Sequence, residues 1–355
     1  MKILVVGPSW IGDMMISQSL YRTLKSLYVD IEIDVIANDW CKLLLNKMPE
    51  VSRVISMPID HGCLNIRVLR QLGINLQTKR YEQAYILPNS FKSALILFFV
   101  KIPIRTGWRG EMRYWLLNDI RILDKVAFPQ IIHRYVVLAY KKDTINKADE
   151  IPKPILWPKL FVTETEIIKS KYIFSISEQL PIIGFCPGAE FGPAKCWPYY
   201  HYAKLAQLLF SANDYQILIF GSQKDYYIGE NIKQLISQDY RQYCFNLAGK
   251  TTIEQVVNLL ASCKIIVTND SGLMHIAAAL NRPLVALYGP SSPDFTPPLS
   301  NLVEIIRLIT GYHKIKKGNT KDGYHQSLID IKPEYVITIL FKLLRRISNN
   351  ESINY

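Results

Sequence analysis

The chain has 355 residues, 49% of them hydrophobic and 20% charged. That length accommodates two domains of ordinary size, and the composition is that of a globular protein with no low-complexity tract or internal repeat. The net charge is +12, of which +8 falls in residues 1–180. This points to an anionic partner (nucleic acid, a membrane surface or a phosphorylated substrate) or to a merely solubilising surface.

The longest strongly apolar run, Ala94–Val100, has seven residues, against the ~20 that a spanning helix needs. The N-terminus has one Lys and a short apolar run but no small-residue cleavage site, so no signal peptide is read and residence in the cytoplasm is expected. The six cysteines are Cys41, Cys63, Cys186, Cys196, Cys244 and Cys263. They form no C-x-x-C pair and are expected as buried reduced thiols, with zinc or disulfides the lesser alternative.

In chain order, KILVVG (2–7) is a short apolar run ending in Gly, as expected of a buried parallel strand. Gly7 and Gly12 then have the G-x-x-x-x-G spacing of a phosphate-binding loop. A P-loop would continue with Lys and Ser or Thr, whereas Asp13 and Met14 follow here. A carboxylate repels phosphate, so Asp13 is read either as a general base or as a helix N-cap. Residues 13–28 have helical apolar spacing, 31–37 and 81–90 are predicted strands, 91–100 a helix, and PIRTG (103–107) a strand end.

Residues 143–180 break this rhythm, and the Pro-rich DEIPKPILWPKLF (149–161) is predicted to be extended and to connect two domains. We draw the first domain as 1–165 and the second as 166–355, with a C-terminal helix that is a candidate to pack back on the first. The alternation then restarts. Strands are predicted at 181–188, 215–222, 264–270 and 283–289. Helices are predicted at 197–210, with Pro198 in its first turn, at 251–263, capped by a Thr252-x-x-Gln255 box, and at 271–280. Repeated βα units predict an α/β fold of two doubly wound parallel-sheet domains facing a central cleft, with ligands at the C-terminal strand ends in that cleft.

The strongest candidate site is VTNDSGLMHIAAAL (267–280), a buried strand that turns directly into a helix. The helix start at Asp270, Ser271 and Gly272 offers free N–H groups to an anion, and Gly272 permits close approach; ordinary capping by Asp270 or Ser271 is the alternative. His275 lies a turn inside, where the positive helix end favours its neutral form, though a helical His is also commonly just packed. In PGAEFGPAKCWP, the loop beginning at Gly188 ends at Lys195, which can neutralise a diphosphate or simply be solvated. Asp225, shortly after another strand end, is read as a ribose ligand or a helix cap. No D-x-D, H-E-x-x-H, G-x-S-x-G or other metal-ligand spacing occurs, so no metal or cofactor is expected.

These residues together resemble the ADP-heptose:lipopolysaccharide heptosyltransferases. The resemblance runs nearly end to end, through GPSWIGDMMISQSLYRTL, LPNSFKSAL, RTGWRGEMRY, GFCPGAEFGPAK, TNDSGLMHIAAALNRPLVALYGPSSPDFTPPL and GYHQSLIDI. It implies a GT-B glycosyltransferase fold and transfer of L-glycero-D-manno-heptose from ADP-heptose, a substrate and not a cofactor, with inversion. The implied acceptor is the first heptose of heptosyl-Kdo2-lipid A, reached at the cytoplasmic face of the inner membrane by a peripheral enzyme with no nucleic-acid partner. It further implies that Asp13 is the catalytic base and Lys195 the phosphate-side cation. Gly188, Asp225, Thr251, Asp270, Ser271, Gly272 and His275 would line the donor site. Ser9, Trp10, Gly12, Lys92, Arg105, Arg109 and Arg113 would line the acceptor site. Cys196 stands where that family carries Arg, so no second cation is implied there. Glu190-Phe191 replaces hydroxyl residues of the heptosyltransferase I type, which leaves more of the phosphate binding to Lys195 and backbone N–H groups. A GT-B sugar-nucleotide epimerase, or the acceptor specificity of the heptosyltransferase I type, are the alternatives.

Overall fold

The structure is a computed structural model and describes residues 1–59 and 65–353, so Cys63 lies outside the described residues. It divides into two compact units: Met1–Lys159 with Asp294–Thr296, and Leu160–Pro293 with Pro297–Tyr355.

The first unit runs β1 (Lys2–Val6), α1 (Ile11–Leu27), β2 (Glu32–Ala37), α2 (Lys42–Leu45), β3 (Arg53–Ser56), α3 (Ile66–Gln77), β4 (Gln83–Ile86), α4 (Phe91–Val100), β5 (Ile104–Trp108), β6 (Asp119–Arg121) and α5 (Ile131–Val136). Its sheet has six parallel strands in the order β3-β2-β1-β4-β5-β6. Strand β1 has neighbours on both sides, and Ile3 to Val6 are at most 1% exposed. That two-sided burial is why the strand reads as an unbroken apolar run. The chain winds outward from β1 to β3, returns to place β4 beside β1, and winds outward again. The loops after β1 and β4 therefore diverge and open a crevice at the C-terminal edge.

The second unit repeats the scheme with α6 (Glu164–Ile173), β7 (Ile182–Cys186), α7 (Tyr199–Ala212), β8 (Gln216–Ile219), α8 (Tyr226–Leu235), β9 (Cys244–Asn246), α9 (Ile253–Ala261), β10 (Ile265–Asn269), α10 (Gly272–Ala279), β11 (Leu284–Tyr288), β12 (Val303–Arg307), α11 (Gln326–Ile329) and α12 (Pro333–Ile353). Its order, β12-β11-β10-β7-β8-β9, puts the switch between β7 and β10. The C-terminal α12 lays Val336, Leu340 and Leu343 into the core of its own unit, against α7, β11 and β12.

Three details refine the sequence reading. Helix α6 lies inside the stretch read as a connection; it opens with a full capping box between Thr163 and Glu166 and packs on α9, where Asn258 Nδ2 donates to Ser170 Oγ at 3.1 Å. Pro198 is the N-cap of α7 and not a residue of its first turn. Cys41, Cys186, Cys196, Cys244 and Cys263 are buried free thiols. No helix among the described residues is long and apolar enough to cross a membrane.

The predicted capping box on α9 is present in full: Gln255 N–H donates to Thr252 Oγ1 at 3.2 Å, and Thr252 N–H donates to Gln255 Oε1 at 2.9 Å. Thr252→Ala should cost about 1 kcal/mol of stability. In urea unfolding this appears as a lower midpoint with an unchanged slope. An unchanged midpoint would show that the cap contributes nothing.

Candidate active site

In the second unit, β7 and β10 lie side by side, with Cys186 opposite Thr268. The loop after β7 is tied to the end of β10 by Asn269, which is fully buried. Its Oδ1 accepts from Trp197 N–H at 3.0 Å and from the Tyr202 hydroxyl at 3.1 Å, and its Nδ2 donates to the Pro187 carbonyl at 2.6 Å. One side chain thus fixes both ends of the loop that carries Lys195. Lys195 reaches across the switch point and places Nζ 2.5 Å from Asp270 Oδ2, with the Phe191 ring 5.4 Å away. The loop leans on a further segment: Ala194 N–H donates to the Lys316 carbonyl at 3.2 Å. Gly192 sits there at φ +142, where a Cβ would come within 2.4 Å of that oxygen. Both the backbone angle and the space require glycine.

Asp270 leads into α10, whose N-cap is Ser271 in an extended conformation. The Ser271 hydroxyl does not cap the helix, and its Oγ is buried with no hydrogen-bond partner. A buried hydroxyl without a partner, at a helix start that lacks a side-chain cap, is a place for an outside anion. Burial pushes the His275 imidazole down to about 4; the Asp270 carboxylate pulls it back up and the Lys195 ammonium pushes it down again. His275 is therefore neutral at physiological pH and faces the ion pair as a hydrogen-bonding group. Ser291, in the Gly289–Ser292 turn after the neighbouring β11, also has a buried Oγ without a partner. Sequence reasoning missed both Asn269 and Ser291. The available signals were a polar residue ending the apolar strand IIVTN and two serines after a Gly-Pro turn.

Gly188 and Asp225 are brought together: a Cβ on Gly188 would come within 2.4 Å of the Asp225 carboxylate. Asp225 caps as well, accepting from Ser222 N–H and Oγ at 2.8 Å each, so its capping reading is realised. Thr251 follows β9 and donates to the Leu247 carbonyl at 3.4 Å. Glu190 pairs with Lys224. Cys196 is 5% exposed, and burial pushes its thiol up to about 12, so it contributes no charge.

In the first unit, the N-cap of α1 is Trp10, and Asp13 lies in the first helical turn. Capping in the strict sense is therefore not its role. Its charge is felt by the buried Tyr135 hydroxyl of α5, whose pKa is raised first by burial and then by Asp13. Ser9 and Trp10 lie in the loop after β1, with Trp10 52% exposed, and Gly12 lies in the first turn of α1. Lys92 lies in the first turn of α4, after the adjacent β4, and Arg109 follows β5 and is exposed. These groups occupy the C-terminal edge of the first sheet.

Two expected acceptor ligands are corrected. Arg105 is the second residue of β5, so it starts from the N-terminal edge of the sheet; its Nε and Nη1 donate to the Leu116 and Ile102 carbonyls at 2.7 and 2.6 Å. Arg113 is 1% exposed. It donates to the carbonyls of Pro88, Ser90 and Trp108 and to Asn89 Oδ1, at 2.6 to 3.3 Å. Both guanidiniums are internal struts. Among the described residues, no group of three or more His, Cys, Asp and Glu side chains is placed to hold a metal ion.

Two doubly wound units, each with a six-stranded parallel sheet, are the architecture of the GT-B fold. Residues 69–325 match glycosyltransferase family 9 (heptosyltransferase), and the chain belongs to that family. It is 60% identical to lipopolysaccharide heptosyltransferase 2 of Salmonella typhimurium, over 97% of this chain and 99% of the relative. It is 53% identical to lipooligosaccharide heptosyltransferase 2 of Haemophilus influenzae, over 98% and 100%. The solved structure of E. coli ADP-heptose LPS heptosyltransferase II matches with a TM-score of 0.91 at 56% identity, covering 98% of this chain and 100% of that one. The fold extends to E. coli heptosyltransferase WaaC solved with ADP, 18% identical with a TM-score of 0.72 over 97% and 100%.

The His275 environment has a pH consequence. In the unfolded chain the imidazole titrates near its ordinary 6.5, and in the fold near 4. The unfolded state takes up the proton first as pH falls, so the stability from neutral His275 is complete above about pH 6.5 and is lost toward pH 4. Between pH 7 and pH 5 this amounts to about 2 kcal/mol. His275→Gln should flatten the stability profile in that window by a corresponding amount. An unchanged slope would mean that His275 is not held neutral.

Proposed function

We propose that this chain transfers L-glycero-D-manno-heptose from ADP-heptose to the first heptose of the lipopolysaccharide inner core, with inversion. The observation that carries this reading is the Lys195–Asp270 pair at the β7/β10 switch point, beside the start of α10. A diphosphate fits that place because a cation, helix N–H groups and an unpartnered hydroxyl converge there. Four relatives at 52% identity or more are heptosyltransferases 2, which favours this acceptor over the heptosyltransferase I type and favours transfer over epimerisation.

The chemistry is a single displacement. Asp13 takes the proton of the acceptor 3-hydroxyl, and the oxygen attacks the anomeric carbon. The bond from that carbon to the β-phosphate oxygen breaks, and ADP leaves with the electron pair. Lys195 and the N–H groups at Ser271 and Gly272 stabilise the charge that grows on the β-phosphate. Asn269 holds Lys195 in position beforehand, which lowers the ordering cost of the step. Neutral His275 is left to hydrogen-bond the donor. The acceptor is lipid-linked, and we assign the enzyme a peripheral place at the cytoplasmic face of the inner membrane.

The test offers ADP-heptose with inner-core acceptors bearing zero, one or two heptoses. Transfer only to the one-heptose acceptor supports the reading, and transfer only to the heptose-free acceptor overturns the acceptor assignment. Turnover of ADP-heptose alone to an epimer would overturn transfer itself.

Asp13→Asn should lower the transfer rate by roughly 10²–10⁴ and leave ADP affinity within a few-fold. Turnover like that of the wild type would remove Asp13 from the chemistry. Lys195→Ala removes a charge-assisted bond worth about 1.5–3 kcal/mol and also leaves the 6%-exposed Asp270 facing the phosphates uncompensated. The double variant Lys195→Ala/Asp270→Ala should therefore bind ADP more tightly than Lys195→Ala alone. Strict additivity of the two losses in calorimetry would show that the pair is not coupled.

A further inference from the structure

The loop after β5 holds its side chains in two opposite ways. Arg113 is buried and donates to the loop after β4, as described above. Its neighbours Met112, Tyr114 and Trp115 are 78%, 58% and 59% exposed. Glu111 and Met112 are consecutive non-glycine residues at φ +35 and +50, a left-handed conformation that costs energy unless the surroundings impose it. The surroundings do impose it. The Glu111 carboxylate accepts from Phe91 N–H at 2.7 Å, and a Cβ on Gly110 would come within 2.9 Å of the Asn89 carbonyl. Trp115 stands edge-on to Phe91 and Phe98 of α4 at 6.0 and 5.9 Å, and Phe98 is itself 49% exposed. Phe98 and Trp115 thus form an exposed aromatic pair, and Met112 and Tyr114 are exposed on the same loop as Trp115.

The charges of this segment are mostly basic. Residues 91–118 contain Lys92, Lys101, Arg105, Arg109 and Arg113 against Glu111 alone. Arg105 and Arg113 are engaged inside, and Glu111 is engaged at the start of α4. Lys101 and Arg109 remain at the surface. Trp, Tyr and long apolar side chains flanked by Lys and Arg suit the boundary between headgroups and acyl chains. A second copy of a chain with net charge +12 would bring like charge against this segment.

We propose that Phe98, Met112, Tyr114 and Trp115, with Arg109 on the same loop, form the surface by which this enzyme docks on an anionic phospholipid bilayer. The proposal rests on the reading that the acceptor is lipid-linked, and it names the surface that reading leaves open. Docking there sets the loop after β5, at the C-terminal edge of that strand, against the bilayer surface.

The full chain is sedimented with phosphatidylethanolamine vesicles containing phosphatidylglycerol, and with phosphatidylcholine vesicles. The wild type should pellet with the anionic vesicles, less so at high salt. Met112→Ser/Trp115→Ser should weaken that binding ~10-fold or more, since two apolar side chains leave the boundary. Its transfer to a deacylated, water-soluble acceptor should stay within about two-fold of the wild type. A conservative variant guards against misfolding: brominated lipid should quench wild-type tryptophan fluorescence more than that of Trp115→Phe. Undiminished vesicle binding by the double variant, equal quenching in the two proteins, or no binding of the wild type to anionic vesicles would each overturn the proposal. So would a wild-type dimer that the double variant loses, which would give the face to a second copy. Absence of wild-type transfer to the soluble acceptor would instead count against the proposed reaction, and the vesicle result would still stand on its own.

Discussion

The candidate donor site in the second unit depends on one ion pair. Lys195 and Asp270, 75 residues apart in the chain, come from the loops after β7 and β10, strands that are neighbours in the sheet. Asp270 is 6% exposed, and a carboxylate so deeply buried beside a helix start is tolerable only with a partner. The pair therefore fixes where the ammonium lies before any ligand arrives. Asn269 fixes the loop that carries it, and the buried, neutral His275 feels both charges without adding one. The proposed anion site is thus assembled from local folding requirements: a strand end, a helix start, and a loop tied to both.

The first unit solves a different problem with the same topology. Its switch point carries Asp13, an acid in the first turn of a helix, with no Lys or Arg from the phosphate-loop pattern beside it in sequence. Arginine there serves structure as much as charge. The guanidinium of Arg113 ties the loop after β4 to the end of β5, while its neighbours in the chain are exposed. The basic balance of the chain is thus divided between internal struts and surface cations, a distinction that net charge alone does not make.

Much of this was legible in the sequence because its causes are local. Strands buried on both faces read as apolar runs, the Thr252–Gln255 box marked the start of α9, and TNDSG marked a strand feeding a helix. Helix α6 carried an equally visible Thr163–Glu166 box, but the prolines just before it drew the reading toward an extended connection. The arginines failed for a different reason. Arg105, Arg109 and Arg113 are close in sequence, yet one enters at the start of a strand, one follows its end, and one turns into the loop of a neighbouring strand. Which of them meets solvent is decided by the pairing of β4 with β5, a non-local fact. Asn269 escaped similarly: its three partners lie 67 to 82 residues away.

The central claim is that the diphosphate is held at the β7/β10 switch point, and a crystal structure of this enzyme with ADP tests it most directly. The account predicts β-phosphate oxygens within hydrogen-bond distance of Lys195 Nζ and the Gly272 N–H, with the Ser271 hydroxyl turned toward them. A diphosphate bound elsewhere, with Lys195 still closed on Asp270 and Ser271 Oγ still without a partner, would contradict it.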